Sequence, residues 1–198
     1  MGSAFTDKQV TKIREKLKEN AKRCLIRYGI KKTTVDQLAR EAGISKGAFY
    51  RFYDSKELLF FEIVEDIHAE LYGGASEILK SRTDLPDVQR MELALLLCLQ
   101  RLDALSVASF WGTEMEFLLS KIPEDVLEKH YHSDDAHIRE LLWESGIEIP
   151  YPAEYVSAVV RALLLMLSHK KQIGESCYEN VMKLMIKGVC QQLLRKDQ

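Results

Sequence analysis

The sequence predicts an all-α protein: an amino-terminal three-helix helix-turn-helix domain, joined by a long helix to a larger carboxy-terminal helical domain. Three observations carry that expectation. Apolar residues recur at three- and four-residue spacing, as in Val10, Ile13, Leu17, Ala21, Cys24, Leu25 and Tyr28. Capping signals stand where such runs begin, at Thr6-Asp7-Lys8-Gln9 and Thr34-Val35-Asp36-Gln37. Between two short amphipathic stretches lies Gly43-Ile44-Ser45, a glycine turn followed by a preferred N-cap.

Helix 1 is expected over Asp7–Tyr28, opened by the Thr6 capping box and closed by Gly29. Its polar face carries Lys8, Lys12, Lys16, Lys22, Arg23 and Arg27. Helix 2 begins after Thr34 and buries Val35, Leu38, Ala39 and Ala42 on one side. Its first turn presents free backbone donors and a hydroxyl, which suits a phosphate. Gly43 supplies the left-handed closure, Ile44 plugs the gap between the two helices, and Ser45 caps helix 3 from Lys46. Helical spacing sends Ala48, Phe49, Phe52 and Tyr53 to one side and Lys46, Gly47, Tyr50 and Arg51 to the other. One face is oily and the other is cationic with a phenol, the form that lays a second helix in a DNA major groove. An ordinary helical hairpin with a solvated basic face has the same composition.

The separated words Thr33-Thr34, Leu38-Ala39, Ala42-Gly43-Ile44-Ser45-Lys46-Gly47, Tyr50 and Ser55-Lys56-Glu57-Leu58-Leu59 decide between them. Together they resemble the DNA-binding region of TetR-family transcriptional regulators, over roughly Thr6–Leu71; beyond that only the all-helical layout is similar. The resemblance implies that Thr34, Tyr50 and Lys56 grip the phosphate backbone and that Lys46, Gly47, Ala48 and Arg51 face the bases, with Ser45 at the turn counted among the DNA-binding residues. Arg51 suits a bidentate pair with guanine, or a phosphate. Gly47 costs a helix about 1 kcal/mol relative to alanine, which either close approach to DNA or tight contact with helix 1 would explain. Phe52 points inward by its spacing, where the family commonly has a groove-facing histidine or tyrosine, so its role stays open. Asp54 departs from the proline or lysine common there.

Charge distribution agrees with a division at about Asp54, giving a helix-turn-helix domain over residues 1–54 and a regulatory domain over 55–198. Residues 1–60 hold 14 Lys+Arg against 7 Asp+Glu, whereas residues 61–198 hold 14 against 23, although the whole chain of 198 residues carries only −2. A basic third and an acidic remainder suggest that one part meets phosphate and the other does not. Cys24, Cys98, Cys177 and Cys190 are too scattered for a metal or redox pair and fit a reduced cytoplasmic protein. No secretory signal is read, and the oiliest stretch, Val156–Leu167, is broken by Arg161, so no membrane span is expected.

Helix 4, capped by Asp54 or Ser55, runs through Leu58, Phe61, Val64, Ile67 and Leu71 as a lever from the first domain into the second. Gly73-Gly74 is expected to kink or stop it before Ala75–Leu79, and Ser81–Asp87 reads as a loop. The next helix, Val88 to about Ala104, is apolar all round across Leu93–Leu99 and is expected to be covered on every side. Phe110, Trp111, Met115, Phe117, Tyr131 and Trp143 then supply aromatic and sulfur-bearing groups suited to the wall of a small-molecule pocket for an apolar or amphipathic effector. Each is equally suited to an ordinary core.

His130, Asp134 and His137 stand at i, i+4 and i+7, so one helix face would bring them to a metal ion. Ser133 and Asp135 suggest a helix break there, and no metal or other cofactor is assigned. The chain closes with a helix from Ala153 to about Ser168, started by Pro152, and another opened by Ser176-Cys177-Tyr178-Glu179 and running to Arg195. Both are apolar over more than one face, and Gly188 permits close crossing, so the expected assembly is a homodimer through these two helices. Two reading heads about 34 Å apart would then engage a palindromic operator in double-stranded DNA. The resemblance implies a repressor released by a small molecule; activation is the alternative sign. No H-E-x-x-H, G-x-S-x-G or Walker glycine loop is present, so an enzyme is not expected. A DNA-architectural or recombinase protein would not need the acidic helical domain, and a ligand carrier would leave the basic third unexplained.

Overall fold

The computed structural model describes residues 6–104 and 114–195, and the regular structure among the described residues is helical throughout. The chain divides into two compact units. The first comprises residues up to 67 together with a segment ending at Ile122, and the second comprises the rest.

In the first unit, α1 (Asp7–Lys32) starts at the Thr6 capping box, whose two reciprocal hydrogen bonds are both formed. The expected end at Gly29 is an interruption: Gly29 leaves the helix at φ 75°, and a further turn follows through Lys32. That break exposes the backbone N–H groups of Ile30 and Lys31, which donate to Glu114 Oε2 at 2.7 and 3.2 Å. A side chain at position 29 would face both the left-handed φ and a Cβ 3.1 Å from the same carboxylate oxygen. α2 (Val35–Ala42) closes on Gly43 at φ 77°, and α3 (Lys46–Phe49) opens on Ser45, which accepts from Ala48 N at 3.1 Å. α3 holds only one helical turn before loosening over Tyr50–Phe52. Phe49 is fully buried; its truncation to alanine would cost about 3–5 kcal/mol.

α4 (Lys56–Ser81) begins at Ser55, whose hydroxyl accepts from Leu58 N at 3.1 Å, and contributes Leu59, Phe60, Phe61, Ile63 and Val64 to the first unit's interior. The Lys18 ammonium from α1 lies 2.6 Å from Asp66 Oδ2 and 3.3 Å from Glu62 Oε1. Burial acts to lower its pKa, but the two carboxylates hold it above the usual lysine range. The first unit thus extends past the expected boundary at Asp54, because the buried face of α4 belongs to it as far as Ile67. α4 also corrects a second expectation, since it runs unbroken through Gly73-Gly74. A Cβ on Gly74 would fall 2.8 Å from Cζ of Arg101, whose guanidinium donates to the Glu70 carbonyl at 3.0 Å and, as the exposed end of a flexible side chain, can give way.

The second unit contains the rest of α4, α5 (Asp87–Ala104), α7 (Glu124–Ser145), α8 (Ala153–Leu165), a 3-10 turn (Met166–His169), α9 (Lys170–Ile173) and α10 (Tyr178–Leu193); α6 (Met115–Leu119) belongs to the first. Its core joins Ala75 and Leu79 of α4 to Met91 and Ala94 of α5, Ile138 and Leu141 of α7, Val156 and Leu163 of α8, and Ile186, Cys190 and Leu193 of α10. Buried Arg90 ties three helix ends together, donating to Leu79 O, to Ser145 O at 3.0 Å and to Asp87 Oδ1 at 2.8 Å. Three further expectations are corrected here. α5 is not enclosed, since Leu93 is exposed and Leu95, Leu96, Leu97 and Leu99 are only partly buried in the single chain. α7 has no break at Ser133 or Asp135: Asp134 turns inward among polar partners, and packing overrides the weak local preference. The capping box at Ser176 does not form, and α10 starts from Cys177 without a side-chain cap. No helix among the described residues is long and apolar enough to cross a membrane.

Candidate nucleic-acid interface and helical cavity

In the first unit, the turn between α2 and α3 sets out a polar surface. Thr34 Oγ1 accepts from Gln37 N at 3.2 Å, capping the amino-terminal end of α2. Thr34, Ser45, Lys46, Gly47, Tyr50 and Arg51 are exposed, and Ala48 is half-buried, while Phe49 and Tyr53 turn inward. Tyr50, 48% exposed, is steadied by an edge contact with Phe49 at 5.5 Å and keeps its phenol on the surface. Lys46 Nζ meets Asp36 Oδ2 at 3.0 Å, an exposed pair that a phosphate can replace at little cost. A Cβ on Gly47 would meet nothing within 4 Å, which removes contact with helix 1 as the reason for a glycine there. Phe52 is partly buried, and its carbonyl accepts from Arg14 Nη2 at 3.2 Å.

Lys56 stands apart from this row. Its ammonium donates to Thr33 O at 2.6 Å and Ile30 O at 2.8 Å, with the side chain only 18% exposed. It closes the carboxyl end of α1, where a cation complements unsatisfied carbonyls. Sequence spacing does not disclose this role, because those carbonyls lie more than 20 residues away.

The second unit holds a partly open cavity of about 100 Å³ between α4, α5, α7, α8 and α10. Its walls are mostly aliphatic, with Leu71, Ala75, Met91, Leu95, Ile138, Val160 and Leu193 among them. This is not where the sequence placed a pocket. Met115 is buried in the first unit, Phe117 there stacks beneath the Lys31 ammonium at 5.1 Å, and Tyr131 and Trp143 are exposed, the latter 86%. Phe110 and Trp111 lie outside the described residues. The four described groups are scattered because α6 joins the first unit, and α7 turns Ile138 and Leu141 inward in their place.

One end of the cavity is polar. His68 of α4, Asp134 of α7, and Ser157 and Arg161 of α8 line it, with Tyr72 beside them and His130 adjoining. Asp134 is 3% exposed; burial acts to raise its pKa, but His68 and His130 beside it hold the carboxyl below the usual range. Burial pushes the His130 imidazole down, against the pull of Asp134. Burial, reinforced by Asp134, pushes the Tyr72 phenol up. The expected triad is therefore only partly assembled. His137 packs on the Tyr72 ring at 4.7 Å, and the third member beside His130 and Asp134 is His68. The helical pair at i and i+4 was visible in sequence; a partner on α4 was not.

Comparison with known proteins bears on the first unit most directly. Residues 18–63 match the family described as bacterial regulatory proteins, tetR family. Over 82 residues the chain is 33% identical to an uncharacterised helix-turn-helix transcriptional regulator, YhgD, of Bacillus subtilis, covering 41% of this chain and 42% of that protein. Over 56 residues it is 34% identical to the nucleoid occlusion factor SlmA of Mannheimia succiniciproducens, covering 28% and 26%. These matches thus span less than half of either relative. The fold of the whole chain is similar to that of Thermus thermophilus FadR, a TetR-family transcriptional repressor solved with lauroyl-CoA, at TM-score 0.65 and 14% identity over 93% of this chain and 96% of that one.

Proposed function

We propose, from the match of residues 18–63 to the tetR family, that this chain is a ligand-responsive DNA-binding transcriptional regulator. It acts as a repressor that holds a palindromic operator as a homodimer and is released by a small molecule. The observation that carries the DNA half is the exposed row Thr34, Ser45, Lys46, Gly47, Tyr50 and Arg51 around one capped turn, backed by fully buried Phe49. Thr34 and Tyr50 hold phosphate oxygens, Arg51 reads a base edge, and Gly47 lets the backbone come close.

Dimerisation is supported by apolar surface that the single chain leaves uncovered on its last helices. Leu184 is 71% exposed, with Tyr155 and Met185 also open, and among the described residues Gly188 has no neighbour within 4 Å of a Cβ. A second copy covering α8 and α10 would bury them.

The effector is apolar or amphipathic and enters the aliphatic cavity of the second unit, a site supported by its lining. At about 100 Å³ the cavity is smaller than the roughly 150 Å³ that accommodates benzene. A larger molecule such as an acyl chain, of the kind bound by the Thermus thermophilus protein, must displace the walls. One wall is α4, which supplies Leu71, Tyr72 and Ala75 to the cavity and Lys56 to the carboxyl end of α1. Differential binding to the displaced arrangement then weakens operator binding, and operator weakens effector binding by the same factor.

The test is selection from random duplexes followed by stoichiometry. The reading requires a palindrome with half-sites about 10 bp apart and two chains per duplex; enrichment of no sequence, or of sites that bind one chain, overturns it.

A further inference from the structure

At the polar end of the cavity, His68, His130 and Asp134 bring one imidazole nitrogen each and a carboxylate together, all within 4.8 Å of one another. His130 and Asp134 are one turn apart on α7, and His68 comes from α4. His68 Nδ1 lies 3.6 Å from Asp134 Oδ1, and His130 Nε2 lies 3.9 Å from Asp134 Oδ2. Both separations are too long for hydrogen bonds. They are close to the roughly 3.4 Å between neighbouring donors around a tetrahedral ion with bonds of about 2.1 Å. Among the described residues, buried His68 Nδ1 has no hydrogen-bond partner, and the two imidazole centroids lie 5.0 Å apart.

We propose that His68, His130 and Asp134 form a binding site for a divalent transition-metal cation, with zinc the best match to two imidazoles and one carboxylate. The donor set is the mixed nitrogen and oxygen type these ions take, and three protein ligands leave a coordination position for water or a bound molecule. Arg161 is the competing cation, with Nη1 3.7 Å from Asp134 Oδ2. It has other anchorage: Nη1 donates to Ser157 Oγ at 2.7 Å, lies 3.9 Å from Asp135 Oδ1, and the guanidinium stacks 5.1 Å over Tyr131. Those contacts retain it when an ion takes Asp134. The proposal stands on the side-chain cluster and does not require the effector reading.

Cobalt(II), a coloured substitute for zinc, gives the readout. Titrating it into the full chain free of any histidine tag should produce visible ligand-field absorption that saturates at one ion per chain and is abolished by zinc. H68Q and D134N should each weaken binding by more than about tenfold, whereas H137Q, on the same helix but outside the cluster, should leave it unchanged. Circular dichroism verifies that each chain is folded, and H68Q alone suffices if D134N is not. Absence of saturable uptake by the folded parent chain overturns the proposal, as does retention of parent affinity in H68Q or an equal loss in H137Q.

Discussion

Replacing Lys56 by methionine separates a structural lysine from a DNA-contacting one. The substitution keeps most of the aliphatic stem and removes the ammonium that donates to Ile30 O at 2.8 Å and Thr33 O at 2.6 Å. A hydrogen bond to a charged group contributes about 1.5–3 kcal/mol. The two share one ammonium and do not add fully, and water can reach the released carbonyls, so the expected loss is about 2 kcal/mol. With a urea dependence of about 2 kcal/mol per molar, the unfolding midpoint of the first unit falls by about 1 M. Equilibrium urea unfolding followed by circular dichroism measures this. Duplex affinity of K56M, taken where the protein remains folded, should then fall less than that of Tyr50→Ala. An unchanged midpoint combined with a larger loss of duplex affinity would refute the capping role and return Lys56 to the phosphate backbone.

Gly47→Ala adds a methyl group that meets nothing within 4 Å among the described residues. Thermal stability should hold or rise by up to about 1 kcal/mol, while duplex affinity in a gel-shift titration falls because the backbone can no longer approach closely. Glu114→Ala removes the acceptor for Ile30 N and Lys31 N; a loss of about 1–3 kcal/mol in urea unfolding is expected, and none would mean that solvent satisfies those donors. Leu184→Glu places a charge on an open site of α10. Sedimentation equilibrium should show the dimer shifted toward monomer with helical content unchanged, and an undiminished dimer would place the interface elsewhere.

What was legible in the sequence was local. The Thr6 box, the left-handed Gly43 and the Ser45 cap each involve residues no more than four apart, and each forms. The division of Lys46–Arg51, α3 and the turn after it, into buried Phe49 and exposed Lys46, Tyr50 and Arg51 follows from helical spacing alone. Non-local contacts were not legible. Gly73-Gly74 reads as a break, but α4 continues through it with Leu71, Ala75 and Leu79 on either side buried in the interior. Ser133 to Asp135 reads as an interruption until Asp134 is seen to have His68, His130 and Arg161 around it. The aliphatic cavity was not legible for a related reason: aromatic content identifies groups able to line a pocket, but which of them share a wall depends on which unit each helix joins.

The grip of the α2–turn–α3 surface on a duplex is tested most directly by measuring affinity for a random-sequence duplex against salt, for the parent chain and for Lys46→Ala, Tyr50→Ala and Arg51→Ala. The logarithm of the binding constant should fall linearly with the logarithm of salt, by about 0.9 per phosphate neutralised. Lys46→Ala should reduce that slope, Tyr50→Ala should weaken binding evenly across sequences, and Arg51→Ala should change preference among sequences. A parent chain whose binding is independent of salt, or three variants that bind as the parent does, would contradict the account.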